Sequence, residues 1–137
     1  MVVNREIIQR RLSKLEQSLR KLRELSGVSL DDYIKSEAIQ DRIERNLQIA
    51  AQACIDIGSY VIADREYRTP SGYGDIFKIL HEEGLLPSEL AGAMKQAAGF
   101  RNILVHDYLD VDPEIVYESL SKVDDFRRFA EFVITWL

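Results

Sequence analysis

Apolar residues recur at steps of three and four along most of the chain, and no stretch sustains a strand-like alternation of apolar and polar residues. Ile8, Leu12, Leu15, Leu19, Leu22 and Leu25 form one seam, and Ile39, Ile43, Leu47, Ala50, Cys54, Ile57 and Val61 a second. A third runs through Val116, Leu120, Val123, Phe126, Ala130, Val133 and Leu137. An α-helix turns by about 100° per residue, so this spacing gathers the apolar side chains onto a face that another helix must cover. The expected fold is all-α, an antiparallel bundle of four main helices with additional short ones. A length of 137 residues fits one domain, 1–137.

The punctuation agrees with this pattern. Pro70, Pro87 and Pro113 fall between the periodic segments. Asn4 is placed to cap the first helix and Gly27 to stop it. Ser29-Leu30-Asp31-Asp32 has the form of a capping box for a short second helix. The next seam predicts a long helix from about Ser36 to about Asp64. After the loop at Arg68–Gly74 a helix is expected over Asp75–Glu83, stopping at Gly84. Ser88 is expected to cap a helix running towards residue 106, and Asp112-Pro113 to open the last one. Ile115, Phe129, Ile134 and Trp136 lie off the main stripe of that last helix. Their placement predicts a second buried surface and therefore a homodimer.

Composition narrows the setting. A single cysteine allows no internal disulfide and no cysteine-based zinc site, which fits a reducing, cytoplasmic location. The most apolar stretch, Ile49–Ala63, carries Gln52 and Asp56 and is too short to span a bilayer. The first residues show no signal-peptide pattern, so no membrane association is expected. The net charge of −5 argues against a diffuse coat for nucleic acid. The charge is uneven, however. Arg5, Arg10, Arg11, Lys14, Arg20, Lys21 and Arg23 outnumber Glu6, Glu16 and Glu24 in the first helix, which is either a solvated face or a local contact for a polyanion.

Several groups read as structural. Ser71-Gly72-Tyr73-Gly74 lacks the spacing and lysine of a phosphate-binding loop and reads as a turn. Cys54 falls on a core stripe, and Trp136 falls at core or interface spacing. His81 falls near a helix C-terminus, where a partly positive imidazole is favoured. Two histidines with no carboxylate cluster at ligand spacing make no transition-metal site, and no cofactor motif is present.

What remains is Arg101-Asn102-Ile103-Leu104-Val105-His106-Asp107-Tyr108. Asn102 and His106 are four apart and share a helix face, and Arg101 and Tyr108 are seven apart and share another. Arg101 and His106 stand about 140° apart around a helix. They meet on one ligand only if the helix ends or bends there, or if a second copy completes the site. These residue types suit phosphodiester cleavage without metal. An imidazole can take a proton from a ribose 2′-hydroxyl or give one to the leaving oxygen. A guanidinium grips a phosphate at two points and offsets charge developing in the transition state. Asn102 can orient the imidazole or donate to a phosphate oxygen. The alternative is a helix end at which Arg101 and His106 pair with Asp107, Asp110 or backbone carbonyls.

The string Arg101-Asn102-x3-His106-x-Tyr108 resembles the signature of HepT-like toxins of the HEPN superfamily. The similarity extends over Asn46–Gly58 and from Tyr73 through Pro87 to Pro113. The resemblance implies an all-helical homodimer with its cleft at the subunit interface. It implies a metal-independent endoribonuclease that is toxic when free, with Arg101 and His106 catalytic, Asn102 in support, and RNA, transfer RNA in particular, as substrate. It implies an MntA-type minimal nucleotidyltransferase antitoxin as partner, which transfers AMP from ATP onto the motif tyrosine, here Tyr108. Two rivals stay open at this level: a non-catalytic helical adaptor that binds substrate for a nucleotidyltransferase, and a dimeric scaffold whose polar string only ends a helix.

Overall fold

The structure, a computed structural model, describes residues 5–106 and 110–137. Seven α-helices follow in order: α1 (Arg5–Glu24), α2 (Leu30–Lys35), α3 (Glu37–Asp64), α4 (Tyr73–Glu82), α5 (Ser88–His106), α6 (Pro113–Ser119) and α7 (Val123–Thr135). The chain is all-helical, as its periodicity predicts. Helices α1, α3, α5 and α7 form the bundle, with contacts between α1 and α3, α3 and α5, α5 and α7, and α7 and α1 closing the ring.

Local chemistry sets the helix ends. The Ser29 hydroxyl accepts from the Asp32 amide at the start of α2, and the Ser36 hydroxyl from Ile39 at the start of α3. The Asp112 carboxylate accepts from Glu114, and Pro113 fills the first position of α6. Helix α4 stops at Gly84, whose φ of 77° opens the left-handed turn that lets Leu85 donate to the carbonyl of Leu80. Glu66 takes the same conformation after α3, with a φ of 57°, so that Tyr67 donates to Ile62.

Three expectations need correction. Helix α4 begins at Tyr73, two residues earlier than its apolar seam indicates. Ser88 lies inside α5, because the carbonyl of Pro87 accepts the first helical bond from Ala91. The last helix is broken by a 3-10 turn over Leu120–Lys122, next to which the Ser119 and Ser121 hydroxyls bond back to the carbonyls of Val116 and Glu118. The apolar seam crosses this break without losing its core side: Val116, Phe126, Ala130 and Val133 are all buried.

Helix α3 is the centre of the molecule and touches α1, α2, α4, α5 and α7. Ile8, Leu15, Leu22, Ile43, Ile57 and Leu80 are fully buried around it. Gly58 marks where α4 comes closest, since a Cβ added there would lie 2.5 Å from Ile76 Cγ2. Cys54 is buried in this packing, and burial pushes its thiol up. Phe129 packs edge-on against Phe77 and Trp136, so two of the off-stripe residues of the C-terminal segment serve the core. The other two, Ile115 and Ile134, are exposed. Among the described residues no helix is long and apolar enough to cross a membrane.

Candidate functional site at the end of helix α5

Helix α5 is built from small residues in its middle, Ala91, Ala93, Ala97, Ala98 and Gly99, with Leu90, Met94 and Leu104 buried. Helices α3 and α4 pack against it, with Ala91 and Ala98 buried, whereas Ala93, Ala97 and Gly99 line an open groove. The polar residues of its last turns are carried by this packed helix.

Arg101 is half-buried. Its Nη1 donates to Asn102 Oδ1 at 3.0 Å, and its guanidinium carbon lies 5.6 Å from the centre of the Tyr73 ring. That distance is within the range of a cation–π contact. Its Nε is buried with no hydrogen-bond partner among the described residues. No carboxylate among the described residues pairs with this guanidinium. Asn102 spends its amide oxygen on Arg101, which leaves its NH2 group to donate elsewhere.

His106 is exposed, and its side chain has no hydrogen bond or ion pair among the described residues. Helix α5 continues through His106, so the rotation of about 140° between it and Arg101 is kept. Tyr108 and Asp107 lie outside the described residues. His81 has a structural place: its Nδ1 donates to the carbonyl of Leu86 at 2.8 Å, tying the end of α4 to the following turn.

A groove of about 650 Å³ opens beside Arg101, between α5 and the α6–α7 segment. Phe100, Ile103, Ile115 and Phe126 give it apolar walls, and Glu118, Lys122 and Asp125 supply charge. Ile103 and Ile115 keep 47% and 53% exposure, unusual for large aliphatic side chains on a core-bearing helix pair.

Two residues escaped the sequence analysis. Tyr73, there assigned to a turn, is the first residue of α4 and supports Arg101. Asp75 anchors the preceding loop: Arg68 donates to it at 2.8 and 2.9 Å, and the Ser71 amide donates to it at 2.9 Å. The Arg68 guanidinium, and then the Ser71 amide, hold the Asp75 carboxyl well below the usual carboxylate range. Arg68 also holds Glu82, closing the loop onto both ends of α4. An Arg and two acids at this spacing are legible in a sequence, but their convergence requires the fold.

Comparison with known proteins places this geometry in context. Residues 15–133 match the family model described as ribonuclease HepT-like. The chain is 35% identical over 115 residues to the tRNA nuclease HepT of Aphanizomenon flos-aquae, covering 84% of this chain and 78% of that one. It is 26% identical over 129 residues to the mRNA nuclease HepT of Shewanella oneidensis, covering 93% and 96%. The solved structure of the tri-AMPylated Shewanella oneidensis HEPN toxin in complex with MNT antitoxin superposes with a TM-score of 0.86 at 25% identity, covering 94% of this chain and 97% of that one.

Proposed function

The chain belongs to the HepT-like ribonuclease family, and we propose that it is the toxin of a HepT/MntA-type pair, a metal-independent endoribonuclease acting on RNA, with transfer RNA the first substrate to test. The observation that carries this is Arg101: a half-buried guanidinium with no carboxylate partner among the described residues, set against Tyr73 and five residues along α5 from an exposed imidazole. His106 serves as general acid/base. It takes the proton of a ribose 2′-hydroxyl, or returns one to the departing 5′-oxygen. The 2′-oxygen attacks the adjacent phosphorus as the P–O5′ bond breaks, leaving a 2′,3′-cyclic phosphate and a 5′-hydroxyl. Arg101 binds the phosphate and offsets the charge gathering on it. Asn102 orients Arg101 and donates to a phosphate oxygen.

The divergence of Arg101 and His106 on one helix favours a site completed by a second copy of the chain. The exposed Ile103 and Ile115 beside the groove support a homodimer there. An MntA-type nucleotidyltransferase silences the toxin by placing AMP on Tyr108. The tri-AMPylated state of the Shewanella oneidensis toxin supports this reading. The added phosphodiester is an anion seven residues along the sequence from Arg101 and competes for its charge.

The test is cleavage of an RNA whose ribose at the scissile position is replaced by 2′-deoxyribose. Cleavage stops if the 2′-oxygen is the nucleophile, and DNA cut as well as RNA overturns the mechanism. Expression without the antitoxin arrests growth, whereas a harmless chain supports the adaptor reading. A Tyr108→Phe protein still silenced by AMP transfer contradicts the role of Tyr108.

A further inference from the structure

We propose that Tyr73 and Lys95 form a nucleotide subsite beside Arg101, in which the Tyr73 ring stacks a base of single-stranded RNA and the Lys95 ammonium takes the flanking phosphate. This rests on the nuclease reading for its substrate class, and on separate residues for its evidence.

Tyr73 is 41% exposed although it is a large aromatic residue at a helix start packed on α5. One side of its environment is the Arg101 guanidinium at 5.6 Å, and its exposed part faces solvent. Lys95 reaches the same place from α5. A Cβ added to Gly74 would lie 2.9 Å from Lys95 Cγ and 3.4 Å from Cε, so the lysine stem lies against the backbone next to Tyr73. Along α5, Lys95, Asn102 and His106 are spaced at seven and eleven residues, which puts them within about 40° of one another on one face. Lys95 is exposed and has no ion pair among the described residues.

The one acid at this helix start does not spoil the arrangement. Asp75 is held by both nitrogens of the Arg68 fork and by the Ser71 amide, which masks its charge from a phosphate nearby. An exposed aromatic and two cations with no carboxylate partner among the described residues therefore lie at the first turn of α4. This is the combination by which single-stranded RNA is held: a ring for a base, cations for the backbone. A residue that only propped Arg101 would have no need of an exposed ring, and would leave Lys95 without a part.

The experiment measures binding of a fluorescent single-stranded RNA oligonucleotide to the His106→Ala chain at several salt concentrations. Tyr73→Ala is expected to weaken binding by roughly fivefold to a hundredfold, and Tyr73→Phe to hold it near the parent value. Lys95→Gln is expected to reduce the slope of log K against log salt by about 0.7. Unchanged binding in Tyr73→Ala, an equal loss in Tyr73→Phe, or an unchanged slope in Lys95→Gln overturns the subsite, and so does a His106→Ala chain that binds no RNA. The nuclease reading is judged apart, by cleavage with the His106 chain. In that assay Tyr73→Ala should raise KM, whereas a loss confined to kcat with full binding reduces Tyr73 to a prop for Arg101 and overturns its stacking role. Binding that follows the stated pattern in a chain that cuts no RNA keeps the subsite and removes the nuclease.

Discussion

Arg101 and His106 stand five residues apart on one helix and live in different surroundings. Arg101 is half-buried, bonded to Asn102 and covered by Tyr73, and Tyr73 sits on a helix start locked by Arg68 and Asp75. His106 ends the same helix in solvent with no side-chain partner among the described residues. In the proposed reaction the group that grips a phosphate is prearranged within one chain, while the group that moves a proton is left to a second copy to complete. A fixed cation costs little to hold in place once its neighbours are built, and is worth most where reorganisation is avoided.

The sharpest way to break this contrast is to remove each group in turn. His106→Ala should lower the rate of RNA cleavage by about 10²–10⁴-fold, while its unfolding midpoint in urea stays near that of the wild type, because the side chain is exposed and makes no hydrogen bond or ion pair among the described residues. Arg101→Ala should lose cleavage and also lower the unfolding midpoint, since Tyr73 and Asn102 lose their partner. Equal stability effects in the two variants would erase the distinction.

The support beneath Arg101 can be tested at Gly58. A methyl group there meets Ile76, a stiff and buried side chain. Gly58→Ala should destabilise the fold by about 1–2 kcal/mol by thermal unfolding, the overpacking cost exceeding what alanine gains in a helix. A stabilised variant would show that α4 does not seat closely on α3.

Asp75 gives a dependence on pH. Its carboxyl is held below its ordinary range in the folded state, so its contribution is present above the unfolded value of about 3.9 and is lost as pH falls through the folded value. Asp75→Asn should therefore unfold at lower temperature than wild type at pH 7, with the gap closing as pH drops below 4. A gap independent of pH would mean that the Arg68 contact does not act through the charge. The smallest effect is expected at Glu66, whose left-handed backbone suits glycine. Glu66→Gly should gain roughly 0.5–1 kcal/mol in denaturant unfolding.

The bundle was largely legible in advance because its seams lie on single helices. Leu12, Leu15 and Leu19 must share a face once a helix forms, and Ser29 and Asp112 announce its starts. The break between α6 and α7 was not legible, since the three- and four-residue spacing of the apolar stripe runs on across the 3-10 turn and the hydroxyls of Ser119 and Ser121 leave no periodic trace. At the site, the sequence exposes Arg101, Asn102 and His106 as a string with chemistry in it. It hides Tyr73, whose contact with Arg101 joins residues on different helices, and it hides the buried, unpartnered Nε of Arg101.

The central claim is that the imidazole and guanidinium act together on one RNA linkage across two copies of the chain. Co-expressing Arg101→Ala with His106→Ala and assaying the mixed assembly tests it most directly. Each variant alone should be inactive, and the mixture should regain a substantial part of the wild-type cleavage, because one of its two composite sites is whole. A mixed assembly that forms and stays as inactive as its components would contradict it.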